Sequence, residues 1–236
     1  QDFYFVKAGG IEISAYENGS KVFIDNILKK TTTAPLEKIT FQNITPEKHT
    51  IIVSKEGFWP WTKNINVLPG MSASIYSFSV PTSPVGEAIA KNNPEYKKIL
   101  SEIEHSTLPD EKHKKISTDG TVAIWAEGEI GSKSIYALWQ GDENKIPDFF
   151  CTQSPCTNNK VEITKVKGSL KNLEFYKDRT DVIIFSSGSG IYAIEIDKRE
   201  IQNFEPIYTG VDPYFSKKSE NNLYVKDSGS VYEINI

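Results

Sequence analysis

The chain has little of the residues that most often carry chemistry. Among 236 residues there are two cysteines, three histidines and one methionine. The histidines, His49, His105 and His113, are too far apart for the i, i+4 pair of a helical metal site. Two cysteines fall short of the four ligands of a structural zinc centre, and their spacing is not the C-x-x-C of a redox pair. No Gly-x-Ser-x-Gly elbow or Walker loop occurs. The Gly188-Ser189-Gly190 run joins two β-patterned segments, where a phosphate cradle needs a following helix. The acidic groups Asp142, Glu143, Asp148 and Asp178, Asp181 lack the alternating spacing of a calcium loop and read as solvated loop carboxylates. These gaps argue against an enzyme and imply no cofactor or metal.

Basic excess is also missing. The formal charge is −4, so nucleic acid and anionic membranes find no electrostatic footprint. No apolar run reaches the length of a membrane span. The chain opens on Gln1 rather than Met, as a mature or trimmed product would, which leaves room for an anchor or signal ahead of it.

What is present is β pattern. Aromatics make up 11% of the chain, and Tyr and Phe favour strands. Short alternating apolar runs, punctuated by Gly, Pro and Asn, fill residues 10–81. Residues 1–9 read as a lead-in strand. Pro81-Thr82-Ser83-Pro84 opens a linker over 82–111. Within it, Tyr96, Ile99, Leu100 and Ile103 have helical spacing, and Asn92 or Asn93 before Pro94 looks like an N-cap, which predicts a helix over about 94–105.

Residues 112–236 repeat. Ile116-Ser117-Thr118-Asp119-Gly120, Val122–Trp125 and Ile135-Tyr136 match Phe175–Asp178, Val182–Phe185 and Ile191-Tyr192, then Phe215–Lys218, Leu223–Val225 and Val231-Tyr232. Each copy reads as a strand, a polar turn, an apolar strand, a Gly/Ser hairpin and a strand opening on Ile/Val-Tyr.

Two resemblances follow from these residues. The turn Glu17-Asn18-Gly19-Ser20, the strand Lys21–Asn26, the turn Thr33-Ala34-Pro35, the run His49-Thr50-Ile51-Ile52-Val53-Ser54-Lys55-Glu56-Gly57-Phe58-Trp59-Pro60 and the turn Val67-Leu68-Pro69-Gly70 resemble the PEGA domain. Pro-Glu of the family motif is replaced by Glu17-Asn18. The repeats resemble blades of TolB-like and WD40-like propellers, Ser117–Gly120 being the best copy. The resemblance implies a mainly β protein: a PEGA-like β-sandwich, a short linker helix, then three propeller-blade-like antiparallel units. Three units are fewer than the usual minimum of four. The array is therefore incomplete, covered at one edge by the first domain or the helix, or completed by another chain.

The functional expectation is a non-catalytic extracytoplasmic protein of a prokaryotic cell surface, secreted or surface-bound. It acts in adhesion, envelope scaffolding or self-assembly with a protein partner or further copies. The C-terminal strand, with Val231, Tyr232, Ile234 and Ile236, is the candidate pairing edge. The alternative is a module for cell-wall glycan or peptidoglycan, held by the propeller-like face or by Trp59 and Trp61, which strand alternation puts on one side. Cys151 and Cys156, with four residues between them including Ser154-Pro155, read as a disulfide in an exported chain and as two free thiols in a cytosolic one.

Overall fold

The computed structural model describes residues 7–150 and 159–236. The paired-cysteine expectation (Cys151, Cys156) and most of the lead-in strand lie outside the described residues. The chain is mainly β. No helix among the described residues is long and apolar enough to cross a membrane. Its contacts divide it into two units: one runs through Pro81 and takes in Arg199–Asn203, the other holds Thr82–Lys198 and Phe204–Ile236.

Among its described residues the first unit has seven strands: β1 (Gly9–Ala15), β2 (Lys21–Ile24), β3 (Ile27–Thr31), β4 (Glu37–Ile44), β5 (Lys48–Ser54), β6 (Trp61–Asn66) and β7 (Ser72–Tyr76). They form two sheets, β4-β1-β7 and β3-β2-β5-β6. Alternation sets the buried face of each. Ile11, Ile13 and Ala15 of β1 are buried, as are Val22 and Ile24 of β2, Ile51 and Val53 of β5, and Trp61 and Ile65 of β6. β1 runs antiparallel to β4 and parallel to β7. β2 turns into β3 through Asp25 and Asn26, both at positive φ (51° and 64°), the conformation a two-residue type I′ hairpin demands. The β3 edge is guarded. The register with β2 slips past Lys29, and Lys29 and Lys30 are exposed on it, two devices that oppose edge-to-edge pairing. On β6, Asn203 acts as a one-residue strand partner. Its Oδ1 accepts from the Thr62 amide at 2.9 Å and its Nδ2 donates to the Thr62 carbonyl at 2.8 Å. Lys63, fully buried, donates to the Ile201 carbonyl at 2.6 Å.

The second unit opens with β8 (Gly86–Ala88) and α1 (Tyr96–Glu104). Then come β9 (Lys115–Ile116), β10 (Val122–Glu129), β11 (Ser132–Trp139), β12 (Lys160–Lys167), β13 (Leu170–Phe175), β14 (Val182–Ser187), β15 (Gly190–Glu195), β16 (Phe204–Thr209), β17 (Tyr214–Lys217), β18 (Asn222–Asp227) and β19 (Ser230–Asn235). They build three four-stranded antiparallel sheets, in orders β12-β11-β10-β9, β13-β14-β15-β16 and β17-β18-β19-β8.

The three sheets are copies of one another at residue level. The first turn is closed by the same bond each time: Ser117 N to Val122 O, Tyr176 N to Val182 O and Lys218 N to Asn222 O, at 2.8, 3.0 and 3.0 Å. The second and third strands are joined by two-residue hairpins at Ile130-Gly131, Gly188-Ser189 and Ser228-Gly229. A buried Ile135, Ile191 or Val231 then precedes a half-buried tyrosine, and these tyrosines lie opposite Trp125, Phe185 and Val225. The first two sheets also slip register at the same place on their fourth strand, and each slip seats a buried isoleucine, Ile163 or Ile207.

The third sheet takes its fourth strand from upstream. β8 pairs antiparallel to β19, with Tyr232 opposite Ala88 and Ile234 opposite Gly86. The Ile89 amide donates to Val231 O and the Asn235 amide to Val85 O, both at 2.8 Å. This corrects the expectation for Val231, Tyr232, Ile234 and Ile236: β19 is an interior strand, and the Ile236 amide is bonded to Asn221 O. The physical reason is that fifteen or so ångströms of exposed ladder would leave a row of unpaired amides and carbonyls, and the chain satisfies them itself. α1 lays Ile99 and Ile103 against Tyr224 and Val231 of the third sheet. The helix starts later than its sequence suggests. Asn93 accepts from the Glu95 amide within a preceding turn, so Pro94 falls outside the helix and Glu95 is the N-cap.

Candidate functional site

The geometry that gathers polar groups in the second unit is the convergence of its three first strands, β9, β13 and β17. By register, Lys115 lies opposite Ile124, Glu174 opposite Ile184 and Ser216 opposite Tyr224. Lys115, Glu174 and Ser216 are therefore equivalent positions in the three copies. Lys115 Nζ lies 2.5 Å from Glu174 Oε2. Ser216 Oγ is buried with no hydrogen-bond partner among the described residues.

Two cavities meet at the Lys115–Glu174 pair. One, of about 380 Å³, is lined by all three copies through Lys115, Ile116 and Thr118, Glu174 and Asp178, and Lys217 to Glu220. The other, of about 540 Å³, is lined by residues 105–110 and 113–115 with Leu173 and Glu174. The charges are committed to one another. Lys217 Nζ lies 2.9 Å from Asp178 Oδ1 and also donates to the Lys177 carbonyl. Lys218 Nζ lies 2.7 Å from both carboxylate oxygens of Glu233, which hold its proton more tightly than usual; Lys218 in turn keeps Glu233 ionised below the ordinary carboxylate range.

Neighbouring polar groups build the scaffold. Asp119 accepts from Ser117 Oγ at 2.7 Å, from the Thr121 amide at 3.0 Å and from Thr121 Oγ1 at 2.8 Å. Burial works against its charge, but these donors lower its pKa. Gly120, at φ 75°, completes the turn. On the third sheet, Asp227 accepts from the Val211 and Asp212 amides and from Tyr208 Oη at 3.1 Å. Burial, and then the Asp227 charge, push the Tyr208 phenol up to about 12.

The sequence-predicted aromatic pair is split. Trp61 is core, 2% exposed, whereas Trp59 is 37% exposed. Alternation failed because Trp59 precedes β6: its amide bonds to Val80 O, and Phe58 forms an isolated bridge with Pro81. Trp61 is thus withdrawn as a contact residue. His49 is buried on β5 and bonded at both ring nitrogens. His105 and His113 are exposed at the larger cavity, His113 lying 3.1 Å from Asp110. The Ser186–Gly190 run is the β14–β15 hairpin, with Ser187 opposite Gly190. Among the described residues, no group of three His, Cys, Asp or Glu side chains could hold a metal ion.

Lys115, Glu174 and Lys217 were missed by sequence reasoning, and Asp178 was read only as a solvated loop carboxylate. Only the repeat register brings them together, and aligning the three copies turn by turn was the signal that could have found them. No family model matches the chain, and no curated protein does.

Proposed function

We propose that the chain is a non-catalytic recognition or scaffold protein of an extracytoplasmic surface. Its first unit is a PEGA-like β-sandwich and its second a propeller-like array of three blades. The observation that carries this reading is the completion of the third sheet by β8, since propeller-type arrays keep only short, protected edges. α1 then covers the face of that sheet with Ile99 and Ile103. With β8 paired to β19, contact with other molecules is favoured over assembly through an open C-terminal strand. The paired state of Lys115, Glu174, Lys217 and Asp178 suits a fixed binding surface better than proton transfer, for which a free acid or base is needed.

The glycan alternative keeps one residue, Trp59, whose exposed ring could lie against a sugar. Co-sedimentation of the labelled chain with envelopes of the source cells tests both readings. Saturable binding undiminished by Trp59→Ala is expected. Absence of envelope binding overturns the surface reading, and loss of binding with Trp59→Ala moves recognition from the second unit to Trp59.

A further inference from the structure

The geometry points to the depression between the first strands as a binding site for a neutral, polyhydroxylated ligand, a mono- or oligosaccharide, seated on Thr118, Ser219 and the Lys115–Glu174 pair. This deepens the recognition reading above and rests on it for its biological setting.

The first argument comes from the copies. Where the sheets pack, equivalent positions stay apolar: Ala123, Ile183 and Leu223 are one set, Ile135, Ile191 and Val231 another, all buried. The set at the convergence is Lys115, Glu174 and Ser216, one cation, one anion and one hydroxyl. Lys115 is exposed and Glu174 half-buried there, so packing does not dictate this assortment. The depression has about 380 Å³, within the range of small-molecule pockets, and the larger cavity lies across the same ion pair.

The second argument concerns charge. Three lysines (Lys115, Lys217, Lys218) and three carboxylates (Glu174, Asp178, Glu220) line the depression, so it carries no formal excess. An anion entering it meets Glu174 beside Lys115, Asp178 beside Lys217 and Glu233 on Lys218. A cation meets the reverse. A hydroxyl both donates and accepts. It can therefore accept from Lys115 and donate to Glu174 with the pair intact. Two of the three Lys217 protons are taken by Asp178 and the Lys177 carbonyl, which leaves one for a ligand oxygen. The Thr118 and Ser219 side chains are exposed at the rim, where they add further two-way groups.

The test is amide-resolved NMR titration of the full chain with tetrasaccharides of glucose and of N-acetylglucosamine, against inorganic phosphate and tetraglycine. Saturable shifts at Thr118, Glu174 and Ser219 are expected with a sugar and not with phosphate or peptide. Glu174→Gln should weaken binding about tenfold, the effect of losing one charged acceptor. Thr118→Val, at an exposed side chain, should weaken it a few-fold with an unchanged melting temperature. The site is overturned by no saturable shift at these amides with either sugar, by saturation with phosphate or tetraglycine instead, or by a folded Thr118→Val variant that binds sugar like the wild type. Envelope binding that persists while the oligosaccharides fail would sink this inference and leave the surface reading standing.

Discussion

Nδ1 of His49 lies 2.7 Å from Oδ2 of Asp25, while its Nε2 lies 2.8 Å from the Thr45 carbonyl. Both ring nitrogens face acceptors, and a neutral imidazole has only one N–H to give. The imidazolium is therefore the form that fits. Asp25 sits in the β2–β3 turn, and its other oxygen accepts from the Thr50 amide at 3.0 Å. One side chain on β5 thus holds the hairpin that joins β2 to β3.

This pairing predicts a stability maximum in weak acid for the first unit. Burial alone would lower the His49 pKa, but the Thr45 carbonyl and the Asp25 and Glu47 charges outweigh it, so the pKa is raised. Its contribution is complete below the unfolded value near 6.5 and is lost as pH rises through the folded value. The His49 hydrogen bond lowers the Asp25 pKa, helped by the Thr50 amide and Lys29. That contribution is present above the unfolded value and is lost as pH falls through the folded one. Melting curves against pH should peak between the two ranges. His49→Ala should destabilise the unit by about 1–3 kcal/mol and flatten the alkaline limb. A variant that keeps the wild-type pH profile would refute the assignment.

The two tryptophans at the start of β6 should behave as opposites. Trp61→Ala empties a core site and should cost about 3–5 kcal/mol. Trp59→Ala, at an exposed ring, should fall within about 1 kcal/mol. Chemical denaturation of the two variants measures the contrast, and similar losses would show that Trp59 is also structural.

Legibility in the sequence followed locality. The hairpins at Gly131, Gly188 and Gly229 were readable because a two-residue turn needs positive φ, which glycine supplies cheaply, and those three lie at 85°, 54° and 80°. Ile99 and Ile103 announced α1 through their spacing alone. β8 gave no such signal. Gly86–Ala88 is three exposed residues without an apolar pattern, and it is a strand only because β19 is beside it. The Lys115–Glu174 pair was equally silent, since its partners belong to different copies. Trp59 and Trp61 misled because alternation holds only inside a regular strand.

Tyr208 and Asp227 should report on the loop between β16 and β17. The phenol, raised to about 12 by burial and then by Asp227, should titrate at lower pH in Asp227→Asn, which removes the neighbouring charge. Ultraviolet difference titration would show it; an unmoved transition would mean burial acts alone. Gly210 belongs to the same device. A Cβ there would collide with Asp227 Oδ2, so Gly210→Ala should cost about 1–3 kcal/mol by displacing the carboxylate from the loop amides.

The closing strand yields the last prediction. β8 is short, and its hold on β19 depends on few bonds, among them the Ile89 amide to Val231 O. Gly86 admits β19 closely: a Cβ there would lie 2.8 Å from Ile234 Cγ2 and 3.1 Å from the Glu233 carbonyl. Ile89→Pro deletes the donor and leaves a carbonyl without its partner, a loss of about 1–3 kcal/mol. Freed of β8, β19 becomes an edge bearing Val231, Tyr232 and Ile234, which invites a second chain. Hydrogen exchange should then quicken at the β19 amides that face β8, such as Asn235, and not at those bonded to β18. Sedimentation velocity should show concentration-dependent dimers that the wild type does not form. A monomeric Ile89→Pro variant with wild-type exchange at Asn235 would mean that α1 and the β18 pairing hold the third sheet closed without β8.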